Sequence, residues 1–156
     1  MGRKGFTIII TAVLACISLG SCYRKTVYDK YVNTPITGWE KNDPIAYALP
    51  RIDSSGTYEA IVGLRTTDAY PFMSVTLIVQ RRFVEKDSVA IDTVRCQLTD
   101  EKGNAIGKGI NYHQYRFPVS SFDLNNGDSL VVNIRHDMKR EILPGICDVG
   151  LIMKRK

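Results

Sequence analysis

The chain has 156 residues, enough for one ordinary domain, and a formal net charge of +5. Its hydrophobic share of 44% and its charged share of 24% exclude wholesale disorder, a coiled coil and a multi-pass membrane protein. Four cysteines are too few for a disulfide scaffold in a chain of this length.

The N-terminus has the pattern of a bacterial lipoprotein signal. Arg3 and Lys4 precede a short apolar run that ends in Leu19-Gly20-Ser21-Cys22. A basic start, a short apolar core and small residues are typical of a secretory signal. The last four residues resemble a lipobox, which implies cleavage after Ser21 and acylation of Cys22. We therefore predict a signal peptide at residues 1–21 and a lipid anchor on Cys22. The alternatives are a membrane anchor helix and ordinary secretory cleavage that leaves Cys22 as a free thiol.

Cleavage after Ser21 changes the charge of the protein. The signal holds two of the 21 basic residues and none of the 16 acidic ones, so 19 basic residues remain and the net charge falls to +3. A weak basic excess on an exported protein does not favour a nucleic-acid partner. We therefore expect contact with the membrane through the lipid and no contact with nucleic acid.

Residues 22–42 are predicted to be a tether that follows the lipid anchor. The segment is charged, has little apolar periodicity, and contains the breakers Pro35 and Gly38. Trp39 is expected to mark the point where the tether meets the fold, as an ordinary packing anchor.

Residues 43–156 are predicted to form one all-β domain. Apolar residues alternate with polar ones, and turn signals such as Asn126-Gly127 separate the runs. The pattern predicts an antiparallel β-sandwich of about seven or eight short strands, with no convincing helix after Cys22. The predicted strands are residues 45–49, 58–64, 73–79, 88–98, 111–117, 130–134 and 146–153.

Known catalytic and metal-binding motifs are absent from the sequence. The two histidines, His113 and His136, have no metal-ligand spacing, and there is neither a C-x-x-C nor a G-x-S-x-G motif. The acidic run from Asp123 to Asp128 lacks the ligand positions of an EF-hand loop. We therefore predict a protein that is not an enzyme and that holds neither a metal nor a cofactor.

Cys96 and Cys147 are the two thiols of the predicted domain. An oxidising envelope permits a disulfide between them, provided that the fold brings their Cα atoms close enough. The sequence leaves two alternatives, a Cys96–Cys147 bridge and two separately buried thiols.

Two surface hypotheses remain open at this point. Aromatic side chains that face solvent in a row on one sheet would favour a glycan-binding module, whereas their burial would exclude it. The aromatic residues concerned are Tyr70, Phe72, Tyr112 and Tyr115. Basic residues collect towards the C-terminus, where Lys154-Arg155-Lys156 either contacts anionic head groups or forms a solvated strand edge.

The C-terminal sequence resembles that of a known family. Asn133 to Arg140, and then Leu143 to Leu151 with its Gly-Ile-x-Asp-Val-Gly run, resemble the closing signature of the gliding-motility lipoprotein H family, GldH. Upstream, Val27 to Tyr31, Trp39 and Leu64-Arg65 also match. The signature residues, whose role is unknown, are His136, Met138, Gly145, Asp148 and Gly150.

The resemblance implies a lipoprotein of the cell envelope in Bacteroidetes-type bacteria, associated with gliding motility. It implies no enzymatic activity, cofactor or ligand. We therefore expect an accessory or interaction component whose partners are other envelope proteins. If the signature serves folding, Asp148 is expected to satisfy backbone donors at a turn.

The resemblance also bears on location and modification. Surface-exported lipoproteins of this lineage carry acidic residues after the acylated cysteine, whereas Tyr23-Arg24-Lys25 follows Cys22 here. We therefore predict an anchor that faces the periplasm, with the choice between inner and outer membrane left open. Bacteria of this lineage O-glycosylate Asp-Ser/Thr followed by an apolar residue, a pattern that the residues after Asp87, Asp92 and Asp128 fit. The predicted acceptors are Ser88, Thr93 and Ser129.

Overall fold

The structure, a computed structural model, describes residues 25–156, and within that range it contains ten β-strands and no helix. The strands are β1 Thr26–Asn33, β2 Trp39–Glu40, β3 Ile45–Ala48, β4 Gly56–Thr66, β5 Ser74–Phe83, β6 Ser88–Gln97, β7 His113–Leu124, β8 Leu130–His136, β9 Ile142–Leu143 and β10 Ile146–Arg155.

Two four-stranded sheets form the body of the domain. The first sheet has the order β1-β10-β4-β7, the second has the order β3-β8-β5-β6, and β2 pairs with β9 in a short third ladder. All the strand pairs are antiparallel. The predicted all-β, single-domain antiparallel sandwich is confirmed.

The hydrophobic core lies between the two sheets. Alternate residues of β5 are fully buried, as the period-two pattern requires when one face of a strand packs inward. Each large aliphatic side chain buried in this way contributes about 1.5–3 kcal/mol relative to exposure. Fully buried aliphatic core residues include Val62, Leu64, Val75, Leu77, Val79, Val132, Ile134, Val149 and Leu151.

The prediction of a tether over residues 22–42 is wrong for the residues that the structure describes. Residues 26–33 form β1, which pairs with β10 from Thr26↔Lys154 to Asn33↔Asp148, and Trp39 is 1% exposed. β1 is an edge strand whose exposed and half-buried residues do not alternate, which is why the sequence does not show a strand there. The predicted signal peptide at residues 1–21 and Cys22 lie outside the described residues.

The sandwich has two ends, which we call the anchor end and the far end. At the anchor end β1 begins beside the last residues of β10, four residues after Cys22 in the chain. The turns 49–55, 84–87 and 125–129 meet there, because Leu49 donates to the Leu130 carbonyl and Ile52 to the Asp128 carbonyl. The loops 34–38, 67–73, 98–112 and 137–141 lie at the far end.

Candidate functional site

The outer face of the first sheet carries a tyrosine laid across two glycines. Tyr31 of β1 is level with Gly150 of β10, which is level with Gly63 of β4. A Cβ atom added at Gly150 would lie 2.6 Å from Tyr31 ring atoms, and one added at Gly63 would lie 2.2 Å from the Tyr31 hydroxyl. Gly150 of the signature therefore provides the space in which the Tyr31 ring lies.

Asp148 holds the residues around that tyrosine. Its carboxylate accepts a hydrogen bond from the Asn33 side-chain amide, and its second oxygen lies 3.4 Å from the Arg65 guanidinium. The Arg65 guanidinium carbon lies 4.4 Å from the centre of the Tyr31 ring, a cation–π contact. The expectation that Asp148 satisfies backbone donors at a turn is therefore wrong. Asp148 lies within β10, where its side chain meets side chains of the two neighbouring strands.

His136 and Met138 join β2 to the body of the sandwich. His136 is fully buried, its Nε2 lies 3.1 Å from the Trp39 carbonyl oxygen, and the two rings meet edge to face at 5.2 Å. Burial lowers the pKa of His136, so the neutral ring is favoured in the folded protein. The carbonyl of Met138 accepts a hydrogen bond from Lys41 Nζ at 2.9 Å.

Gly145 makes the β9–β10 turn feasible. Its φ is +79°, and an added Cβ would lie 2.3 Å from the backbone nitrogen of Tyr70. A residue with a side chain would be strained there and would also displace the loop between β4 and β5. The five signature residues thus all take part in contacts that hold the fold.

A groove of about 590 Å³ lies beside the signature at the far end. The β1–β2 loop and the β9–β10 turn form its walls, and Ile36 and Tyr112 at its rim are exposed. Its chemically distinctive groups are the Cys147 thiol and the Asp148 carboxylate. The carboxylate is already paired, and burial raises the pKa of Cys147, so neither group is poised as a base or a nucleophile.

Cys96 and Cys147 are free thiols, so the disulfide alternative is not realised. Cys96 lies on β6 in the second sheet and Cys147 on β10 in the first. Packed sheets lie about 10 Å apart, whereas a disulfide joins Cα atoms about 4.4–6.8 Å apart. Burial raises the pKa of Cys96 to about 12. The alternative of two separate thiols describes the structure, with Cys96 buried and Cys147 half-buried.

The four aromatic residues considered for glycan binding do not form a solvent-facing row. Tyr115 is buried and donates to the Leu98 carbonyl, while Tyr70 packs on the core and donates to the Ser74 carbonyl. Phe72 contacts the Tyr70 ring edge to face, and Tyr112 is 57% exposed. The arrangement therefore does not favour the glycan-binding alternative.

The predicted O-glycosylation acceptors differ in exposure. Ser88 and Thr93 lie on β6 and are exposed, whereas Ser129 is half-buried and its backbone N–H donates to Glu85. The carboxylate of Asp92, next to Thr93, is paired with Arg81. Modification at these residues stays a prediction, with Ser88 and Thr93 the accessible acceptors.

The outer face of the second sheet combines arginines with exposed apolar side chains, and we call it the arginine face. Strand register brings Arg82 level with Val89, Arg95 level with Thr76, and Arg135 level with Ile78. Val89 is 52% exposed, and Ile91, on the same face of β6, is 64% exposed.

No carboxylate from the four strands lies on the arginine face. Asp92 is the single acidic residue in those strands, and it forms an ion pair with Arg81, which is 5% exposed. Asp92 also accepts a hydrogen bond from Ser120 of β7, in the other sheet. Its side chain therefore points between the sheets. Asp137, just beyond β8, lies 3.7 Å from the Arg135 guanidinium, so within residues 25–156 the uncompensated positive charge of the arginine face is that of Arg82 and Arg95.

Residues 25–156 hold no cluster of metal ligands and no helix that could span a membrane. No three histidine, cysteine or acidic side chains of that range converge as they would around a metal ion. The same residues include no helix of the length and apolarity needed to cross a bilayer.

The sequence matches a known family over most of its length. The family described as "GldH lipoprotein" matches residues 26–153, more than four-fifths of the chain. The chain belongs to the GldH lipoprotein family. The matched range extends from the first residue of β1 to the last residues of β10, so it includes both the signature and β1, which lies within the predicted tether.

Two relatives cover nearly the whole chain. The chain is 29% identical to "Gliding motility lipoprotein GldH" of Flavobacterium johnsoniae over 153 residues, covering 92% of this chain and 94% of the relative. It is also 29% identical to "Gliding motility lipoprotein GldH homolog" of Christiangramia forsetii, covering 98% of each. The protein is therefore a GldH-like lipoprotein, a class associated with the membrane and not known for catalysis.

Two solved structures resemble the chain distantly. Eiger TNF from S. frugiperda aligns with a TM-score of 0.34 and 12% identity, covering 83% of this chain and 87% of that one. A carbohydrate-binding module, CBM35 of Cellvibrio japonicus Abf62, aligns with a TM-score of 0.36 and 12% identity, covering 86% and 93%. Likenesses at this level carry no functional argument.

Proposed function

We propose that this protein is a lipid-anchored, non-enzymatic accessory component of the gliding or envelope machinery, which binds another envelope protein through the arginine face. The observation that supports this proposal is that the signature residues and the arginine face have different roles. The signature residues are used in contacts that hold the fold, whereas exposed apolar and cationic side chains gather on the outer face of the second sheet.

The composition of the arginine face suits a protein interface. Arginine and apolar side chains are enriched in the centres of interfaces, where the flat guanidinium group packs against apolar surface and binds carboxylates. Because the strands present no carboxylate on this face, the partner surface is expected to be acidic. β6 also lies at the edge of its sheet, which leaves one side of the strand open to an added strand.

Site-specific photo-crosslinking in cells tests this proposal. A photoreactive residue at Ile91 is expected to give a discrete adduct, which the triple variant Arg82→Gln/Arg95→Gln/Arg135→Gln should lose. The matched position is Asp29, which is exposed on β1 of the other sheet and should give no such adduct. Equal adducts at both positions, or an Ile91 adduct that the triple variant leaves unchanged, would refute the arginine face as the interface.

The anchor and its direction are separate parts of the proposal. Cys22→Ala is expected to abolish acyl labelling and to release the protein from the membrane fraction, and a variant that still labels would contradict lipidation at Cys22. Protease treatment of intact cells is expected to leave the protein intact, because we propose that the anchor faces the periplasm. Rapid loss of the protein would place it on the cell surface instead.

A further inference from the structure

We propose that the anchor end of the sandwich rests on anionic lipid head groups, so that the domain stands on the membrane with its far end pointing away. This inference rests on the proposed acylation of Cys22. It goes beyond the lipid anchor by assigning a membrane-contact surface to the folded domain and one orientation to the sandwich.

The length of chain between the lipid and the fold carries the first step. Cys22 precedes Lys25 by three residues, and three residues span at most about 10 Å. Lys25 is already held at the fold, because its carbonyl accepts a hydrogen bond from the Arg155 backbone N–H at 2.8 Å. The acylated residue therefore keeps the anchor end within about 10 Å of the head groups, whatever the direction of the domain.

The charges around that point carry the second step. Thr26 lies level with Lys154, so antiparallel pairing of β1 with β10 brings the C-terminal Lys154-Arg155-Lys156 beside the start of the domain. Lys25 and Lys156 are exposed, and Lys154 and Arg155 are half-buried. Neither Lys25 nor Lys156 forms an ion pair with another residue of the described range. We call these four residues the basic rim.

Several acidic side chains of the anchor end are occupied by other groups. Asp128 pairs with Lys86, Asp123 accepts a hydrogen bond from Thr57, and Glu85 accepts one from Ser129. Of these three, Asp123 lies near the basic rim, because the backbone carbonyl of its partner Thr57 accepts a hydrogen bond from the Lys156 backbone N–H. Two further carboxylates lie beside the rim, since Asp53 lines the same groove as Lys25 and Glu59 is level with Lys154. The four cations of the basic rim outnumber these three carboxylates, so the net charge that meets the membrane beside the lipid is positive.

A lipid chain and a basic cluster act together in membrane binding. The acyl chains hold the protein at the surface, and each lysine or arginine close to an anionic leaflet adds an attraction that decays within a Debye length. Because the acyl chains already hold the protein at the bilayer, the basic rim meets a high local concentration of head groups. A weak attraction to the head groups is therefore enough to set the direction of the domain.

The single tryptophan provides the test. Trp39 is buried at the far end, beyond the opposite end of the ten-residue β10 from the basic rim, a separation of about 30 Å along the strand. The full lipidated protein is reconstituted into phosphatidylcholine vesicles with or without phosphatidylglycerol, and energy transfer from Trp39 to a dansyl-labelled lipid is measured. Transfer falls steeply with distance, so an upright domain gives little transfer and a domain that tumbles or lies flat gives more.

We expect low transfer in anionic vesicles at low salt and several-fold higher transfer in neutral vesicles or at high salt. The variant Lys25→Gln/Lys154→Gln/Lys156→Gln should show the higher transfer in all vesicles, and it spares Arg155, which donates to the Ser55 carbonyl. The matched control Lys102→Gln/Lys108→Gln/Lys139→Gln removes the same charge at the far end and should behave as the parent protein. Melting curves of both variants check that the fold is retained.

The possible results separate this inference from the proposed function. Transfer that depends on neither lipid charge, salt nor the basic rim would refute the upright orientation while leaving lipidation intact. A change caused instead by Arg82→Gln/Arg95→Gln/Arg135→Gln would show that the arginine face lies on the membrane, and would overturn both proposals. A purified protein whose mass shows no acyl group on Cys22 would refute the anchor and, with it, the orientation.

Discussion

Replacing Gly150 with alanine tests the role that the structure gives to the signature. The added methyl group would lie 2.6 Å from the Tyr31 ring, far inside van der Waals contact, so the ring must move. Overpacking of this kind costs about 1–3 kcal/mol. Alanine also restricts the unfolded chain more than glycine does, which favours the folded strand by about 0.5–1 kcal/mol, and the φ of Gly150 is not in the left-handed region. We therefore expect Gly150→Ala to lower the free energy of unfolding by about 1–2 kcal/mol.

The same substitution should change sign when the ring is absent. In a Tyr31→Ala background the added methyl group meets no ring, so Gly150→Ala should stabilise the protein by about 0.5–1 kcal/mol. The two substitutions are thus expected to couple by about 2 kcal/mol in a double-mutant cycle. The coupling reports the contact between the two side chains, separately from the cost of removing Tyr31 itself.

Urea unfolding of the mature protein in mild detergent, followed through the emission of Trp39, measures these free energies. Trp39 is 1% exposed in the fold and becomes exposed on unfolding, so its emission reports the global transition. An equal effect of Gly150→Ala in the parent and in the Tyr31→Ala background would refute the packing argument. Gly63→Ala should show the same dependence on Tyr31, because its methyl group would meet the hydroxyl end of the same ring.

Three further predictions follow from the site. Asp148→Ala should lower the free energy of unfolding in urea by about 1–2 kcal/mol, because one hydrogen bond and a partly exposed ion pair are lost. The control Asp29→Ala, at an exposed position, should have little effect, and equal losses in the two variants would contradict the role of Asp148. Burial lowers the pKa of His136, so below about pH 6.5 the unfolded state binds more protons than the folded state. The free energy of unfolding should therefore decrease as the pH is lowered through this range, by at most about 1.4 kcal/mol per pH unit. His136→Gln should reduce that slope, and an unchanged slope would refute the assignment. Thiol titration of the mature protein should find two free thiols in denaturant, with Cys96 unreactive in the folded protein; a count of zero would indicate a bridge.

The class of fold was predictable from the sequence because half-buried strands alternate at every second residue. That signal is local, and it identified β4, β5, β6 and β8 by their apolar faces. It missed β1, where the edge position leaves the consecutive charged residues Asp29 and Lys30 both exposed, so that the strand shows no alternation. It also missed the two-residue strands β2 and β9, which are too short to show any period.

The sequence by itself indicated the all-β class and the family, since both depend on local patterns of residues along the chain. The tertiary structure alone decided what the signature residues do. Asp148 meets Asn33 from 115 residues away and Arg65 from 83 residues away, and no local pattern encodes such a meeting. The direction of Asp92 was likewise decided by packing, because its ion pair with Arg81 turns the carboxylate inward and leaves the arginine face positively charged.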